Sequence, residues 1–129
     1  MHSFILVSIL ALTLSASHVS WYGNFNEAHK QSIKDNKKLM VLLIKKNCSV
    51  CKEVVKTTFS NQEYIDSLNK DFISVIITKN QAESYPIEML YTLTYPTLFF
   101  LDKNELFVCK PLRGEVTPER LKNHLKLCK

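Results

Sequence analysis

Leu39-Met40-Val41-Leu42-Leu43-Ile44-Lys45-Lys46-Asn47-Cys48-Ser49-Val50-Cys51 is the stretch that decides how this chain folds. Leu39 to Ile44 is an unbroken apolar run, long enough for a strand buried on both faces. Lys45-Lys46-Asn47 ends it. From there Val50, Val54, Val55 and Phe59 recur at helical spacing, with Lys52, Glu53 and Lys56 facing solvent, which predicts a helix from about Cys48 to Thr58. A cysteine in the first turn of a helix meets unpaired backbone N–H groups and the positive end of the helix dipole. Both favour the thiolate, the species that attacks disulfides. Cys51 lies about one turn further on, close enough to close a small disulfide ring. The pattern points to thiol–disulfide exchange at Cys48 and Cys51. A structural disulfide, half of a metal site and a pair of buried core thiols are the other readings. A tetrahedral zinc site would need two more ligands from Cys109, Cys128 or a histidine, and His29 and His124 stand isolated in the sequence.

Trp21 to Phe25 is aromatic-rich and suits an arm or short strand, and Asn26 to Asn36 a peripheral helix. Ser60-Asn61-Gln62-Glu63 reads as a capping box opening a helix with Tyr64, Ile65 and Leu68. Asp71 to Ile77 is a second buried strand. After the polar stretch Thr78 to Ser84, Pro86 suits the first turn of a short helix through Tyr91. Thr97 to Leu101 and Leu106 to Cys109 flank Asp102-Lys103-Asn104-Glu105 as a hairpin, with a bend at Arg113-Gly114. Thr117-Pro118-Glu119 opens a last helix, with Leu121, Leu125 and Leu127 as its buried face. The expected fold is α/β, with a central sheet parallel in its first half and antiparallel in its last.

The chain has 129 residues, enough for one domain, and a formal charge of +5 spread along its length. There is no basic block with interleaved aromatics, so a nucleic-acid partner has no support. Only two glycines are present, and neither a phosphate-binding loop nor a catalytic triad or carboxylate pair is evident.

The first 17 residues contain no Asp, Glu, Lys or Arg, and Phe4 to Leu14 is interrupted only by Ser8 and Thr13. This core is too short to span a bilayer and suits a signal peptide over 1–17, with Ser15 and Ser17 as small residues before cleavage. The domain then occupies 18–129. All four cysteines fall in it, and in an oxidising compartment an even count suggests disulfides. Four cysteines allow three pairings, and the close spacing of Cys48 and Cys51 favours the one that leaves Cys109 with Cys128, as a structural bridge or as a second redox pair.

At this point the chain resembles a thioredoxin-fold protein. Cys48-x-x-Cys51-Lys52 follows the first long strand, Tyr95-Pro96-Thr97 precedes the hairpin where that family carries a cis-proline loop, and Arg113-Gly114 follows it. Glu27-Ala28 and Lys37-Lys38-Leu39 before the cysteines, with Phe59, Tyr64, Leu68-Asn69 and Phe72 after them, are similar to secreted thioredoxin-related proteins of bacteria. The resemblance implies a thioredoxin fold, with helices on both faces of a mixed sheet that ends in an antiparallel hairpin. It implies an exported, periplasmic thiol–disulfide oxidoreductase without a bound cofactor, acting as a monomer. Cys48 would be the nucleophile, Cys51 would resolve the mixed disulfide, and Tyr95, Pro96 and Thr97 would face substrate. Substrates would be cysteines of other exported proteins, and a redox partner would reset the pair. The alternative is a binding module whose cysteines are inert. Three positions depart from thioredoxin. Leu42 stands where thioredoxin has a buried acid, Asn47 where it has an aromatic residue, and the dipeptide between the cysteines is Ser-Val.

Overall fold

Leu39 to Ile44 lies at the centre of the molecule, in strand β2 (Lys38–Ile44). This is a computed structural model, and it describes residues 18–81 and 85–128. The signal-peptide expectation for 1–17 lies outside the described residues. Along the chain come β1 (Trp21–Tyr22), α1 (Phe25–Asp35), β2, α2 (Ser49–Thr57) and a 3-10 turn (Thr58–Ser60). These are followed by α3 (Gln62–Asp71), β3 (Phe72–Thr78), β4 (Thr97–Leu101), β5 (Leu112–Arg113) and α4 (Pro118–Leu127). The five strands form one sheet in the order β1-β3-β2-β4-β5. β1, β3 and β2 run parallel, whereas β4 is antiparallel to β2 and β5 to β4.

Because β2 is covered on both faces, alternate side chains enter two different cores. Met40 and Leu42 pack with Val54, Phe59, Ile65, Phe100 and Leu121, contributed by β4 and the helical elements of one face. Leu39, Val41 and Leu43 pack with Phe25, Ala28, Phe99 and Leu90 on the other. That two-sided burial is why the run carries no polar residue.

Several local expectations are corrected. The cap of α3 is Asn61, not Ser60: the Asn61 side chain accepts the N–H of Glu63 at 3.0 Å, because a 3-10 turn still occupies Ser60. Pro86 starts a single turn, closed by Leu90 N–H to the Pro86 carbonyl at 3.0 Å, and no helix follows. Val50 is largely exposed, as is Leu127. Leu127 lies six residues beyond the buried Leu121, about 240° around the helix and off its apolar face.

The predicted hairpin partner Leu106–Cys109 also fails to form a strand. The Asp102 carboxylate accepts N–H groups from Asn104 and Leu106, folding a tight turn in which Glu105 takes a φ of 63°. Beyond it the chain makes one bridge, Leu101 to Phe107, and then leaves the sheet. Cys109 is tied to α4 and Pro111 has no N–H to donate, so pairing resumes only at Leu112–Arg113. The antiparallel pair is present, with its second strand four residues or more later than expected.

Candidate active site: the Cys48–Cys51 disulfide

The positioning of Cys48 begins with Asn47, whose φ of 56° turns the chain out of β2. Asparagine tolerates this left-handed conformation better than most residues. Cys48 follows as the N-cap of α2, and its sulfur accepts the backbone N–H of Cys51 at 3.1 Å. The sulfur thus takes the place that a serine or aspartate oxygen holds in an ordinary cap. Cys48 and Cys51 are joined as a disulfide with Cα atoms 5.2 Å apart. Both are buried, but Cys48 keeps 7 % of its surface exposed against 1 % for Cys51. An attacking group from solvent therefore meets Cys48.

The register of the sheet brings the second part of the site to the same end. Leu43 of β2 pairs with Thr97 of β4, so Pro96 and Tyr95 lie beside the point where β2 gives way to Lys45 and the cysteines. The Tyr95–Pro96 peptide is cis. The ammonium groups of Lys45 and Lys79 each lie 5.6 Å from the centre of the Tyr95 ring, within cation–π range. Thr97 is fully buried.

Thr92, which the sequence did not single out, holds this loop together with Arg113 of the expected bend. The Thr92 hydroxyl accepts N–H groups from Thr94 at 3.1 Å and from the Arg113 guanidinium at 2.7 Å. It also lies 3.1 Å from the Thr97 hydroxyl, which itself donates to the Thr94 carbonyl at 2.6 Å. Just past β5, the Gly114 N–H donates to the Pro96 carbonyl at 3.0 Å. Gly114 has a φ of 82°, a conformation that favours glycine. Thr92 is a lone polar residue in an irregular segment that no spacing pattern marks, and the sequence showed Arg113 as part of a bend but not as the partner of Thr92.

An open hollow of about 440 Å³ adjoins the disulfide, reached by Cys48 and Cys51 and rimmed by Lys45, Lys46, Lys52 and Lys56. Leu42 is fully buried in the apolar core, and among the described residues no carboxylate lines the hollow.

Cys109 and Cys128 form the second disulfide, with Cα atoms 5.3 Å apart. His124 is not isolated as its place in the sequence suggested: its Nε2 lies 3.7 Å from the Cys109 sulfur and 2.6 Å from the Lys110 carbonyl oxygen. A carbonyl only accepts, so Nε2 carries the proton and donates. The donor atoms of Cys109, His124 and Cys128 lie within 4.8 Å of one another. With both sulfurs bridged, neither cysteine offers a thiolate to a metal in this state.

Behind α2, the Tyr64 hydroxyl donates to the Thr58 carbonyl, and the Thr58 hydroxyl donates to the Val116 carbonyl at 2.5 Å. Burial, together with the neighbouring Glu63 charge, pushes the Tyr64 phenol up from 10.0 to about 12.

None of the curated proteins compared with this chain matches it. Among solved structures, it is similar to a protein from Bacteroides thetaiotaomicron described as a "putative disulphide-isomerase". That likeness has 26% identity and a TM-score of 0.72, over 88% of this chain and 95% of the other. A thioredoxin from Thermus thermophilus shares the fold at 18% identity and a TM-score of 0.71, over 84% of this chain and 85% of the other. The DsbH oxidoreductase does so at 16% identity and a TM-score of 0.68, over 90% and 88%. Residues 25–129 match the thioredoxin-like domain family, which takes in the cysteine pair, the Tyr95–Pro96 loop and all but the first strand of the sheet. The chain belongs to the thioredoxin-like family.

Proposed function

We propose that this protein is an exported thiol–disulfide oxidoreductase that exchanges electrons with cysteines of other exported proteins. The observation that carries the reading is Cys48 itself, a cap sulfur that accepts the Cys51 N–H and is the more exposed member of a closed disulfide. The charge-free apolar segment before residue 18 supports export to an oxidising compartment such as a periplasm. The DsbH protein that shares the fold is itself named an oxidoreductase.

In the reducing direction the Cys48 thiolate attacks one sulfur of a substrate disulfide. A Cys48–substrate bond forms, and the other substrate sulfur leaves as a thiolate and takes a proton from water. The Cys51 thiolate then attacks Cys48, closing the intramolecular disulfide and releasing the second substrate sulfur as a thiolate. Two electrons pass from the Cys48–Cys51 dithiol to the substrate, and a dithiol protein would restore the pair. In the oxidising direction each step reverses, and a disulfide protein or quinone-linked oxidant resets it. Tyr95, Pro96 and Thr97 would face the substrate, whose extended backbone could pair alongside.

The test is Cys51→Ser in the full chain, expressed with its natural export segment. The variant should accumulate mixed disulfides between Cys48 and partner proteins, visible on non-reducing gels and abolished by Cys48→Ala. If a folded Cys51→Ser protein forms no thiol-dependent complex, the oxidoreductase reading fails.

A further inference from the structure

Four lysines rim the hollow beside this disulfide and a fifth stands over Tyr95, and among the described residues no carboxylate lines the hollow. Lys45 and Lys46 come from the connection after β2, Lys52 and Lys56 from α2, and Lys79 from the end of β3. Lys52 and Lys56 are four residues apart on α2, where like charges repel. Glu53, the acid of that helix, lines a different hollow with Val50 and Val116. Among the described residues, the ion pairs are His29 with Glu105 and Lys122 with Glu63, and none of the five lysines takes part. Tyr95 holds Lys45 and Lys79 over its ring, next to Pro96, so positive charge stands at the cysteines and at the proline loop alike. Between the lysines the lining is apolar: Ile44, Val55 and Ile76 are partly buried there.

Resting on the oxidoreductase reading above, we propose that this lysine-rimmed hollow seats an acidic polypeptide segment beside the substrate's reacting cysteine. An apolar side chain of that segment would cover Ile44, Val55 and Ile76, while its carboxylates reach the lysines. A volume of about 440 Å³ holds a few side chains, which fits a peptide segment rather than a whole domain. Unpaired like charges around an exchange site steer oppositely charged partners and disfavour basic ones.

The decisive measurement uses the reduced full chain and two fluorogenic peptide disulfides, identical except for Glu or Lys on either side of the cysteine. Glutathione disulfide is the third substrate. The Glu peptide should react about tenfold faster than the Lys peptide at low salt, with the difference shrinking as sodium chloride rises. Lys46→Glu with Lys56→Glu should reverse the preference. The milder pair Lys52→Gln with Lys56→Gln should narrow it should the charge reversal unfold the protein. Equal, salt-independent rates for the two peptides would overturn the proposal and leave the oxidoreductase intact. Faster reaction with glutathione disulfide than with the Glu peptide would also overturn it, assigning the lysines to a small anionic thiol. Failure of a folded, reduced protein to react with any of the three would instead overturn the oxidoreductase reading on which the proposal stands.

Discussion

The backbone N–H of Cys51 points at the sulfur of Cys48, 3.1 Å away, so the residue that caps α2 is also the more exposed cysteine of the pair. In the reduced protein this N–H and the helix dipole act on Cys48 and leave Cys51 without equivalent help. Limiting iodoacetamide at neutral pH should therefore alkylate Cys48 first, and peptide mass spectrometry should find little label on Cys51 until Cys48 is consumed. Preferential labelling of Cys51 would reverse the roles assigned to the two thiols.

The Tyr95–Pro96 loop stands on Thr92, whose hydroxyl meets Thr94, Thr97 and Arg113. Thr92→Val keeps the shape and removes every one of these bonds, leaving the guanidinium without its hydroxyl partner. Stability should drop by about 1–3 kcal/mol, readable in urea unfolding. Substrate exchange should slow while Cys48 alkylation stays normal, because the loop is loosened and the cap is not. If alkylation changed and exchange did not, the loop would have no part in presenting substrate.

The cysteine end of the fold was legible in sequence because strong local signals coincide there. Leu39 to Ile44 has to be buried on both faces, Lys45 and Lys46 cannot follow it into the sheet, and the pattern places Cys48 in the first turn of the helix, one residue inside the cap position it holds. The Thr117-Pro118-Glu119 start of α4 was equally plain, and the Thr117 hydroxyl does accept the Arg120 N–H at 3.2 Å. The stretch from Leu106 to Arg113 misled for a different reason. Leu106, Phe107 and Val108 have strand character, but the Cys109–Cys128 link and Pro111 carry the chain off the sheet before a ladder can form. That constraint is tertiary, and no local pattern carries it. His124 beside Cys109, and Arg113 reaching Thr92 across 21 residues, are likewise products of packing.

Cys128 is fully buried at the end of α4, and its bridge to Cys109 spans 19 residues. Removing it with Cys109→Ala and Cys128→Ala should cost about 3 kcal/mol by loop entropy. Exchange at Cys48 should persist at temperatures where the variant stays folded. A bridge that relays electrons would behave otherwise, since its loss would slow turnover with a protein dithiol donor even at low temperature. Comparing unfolding midpoints with exchange rates separates the two roles.

Tyr64 sets an alkaline limit on the fold. Its phenol rises to about 12 because burial, aided by Glu63, disfavours the phenolate, whereas in the unfolded chain it titrates near 10.0. Between those values the folded state binds the proton and the unfolded state releases it. Stability is therefore unaffected below about pH 10 and falls as pH rises toward 12, by roughly 3 kcal/mol in all for a two-unit difference. Tyr64→Phe loses the hydrogen bond to the Thr58 carbonyl, costing about 1 kcal/mol at neutral pH. It should also flatten the decline, because no group remains at that position to ionise. Urea midpoints across pH 8 to 11.5 for both proteins test this, and parallel curves would show that the alkaline loss arises elsewhere.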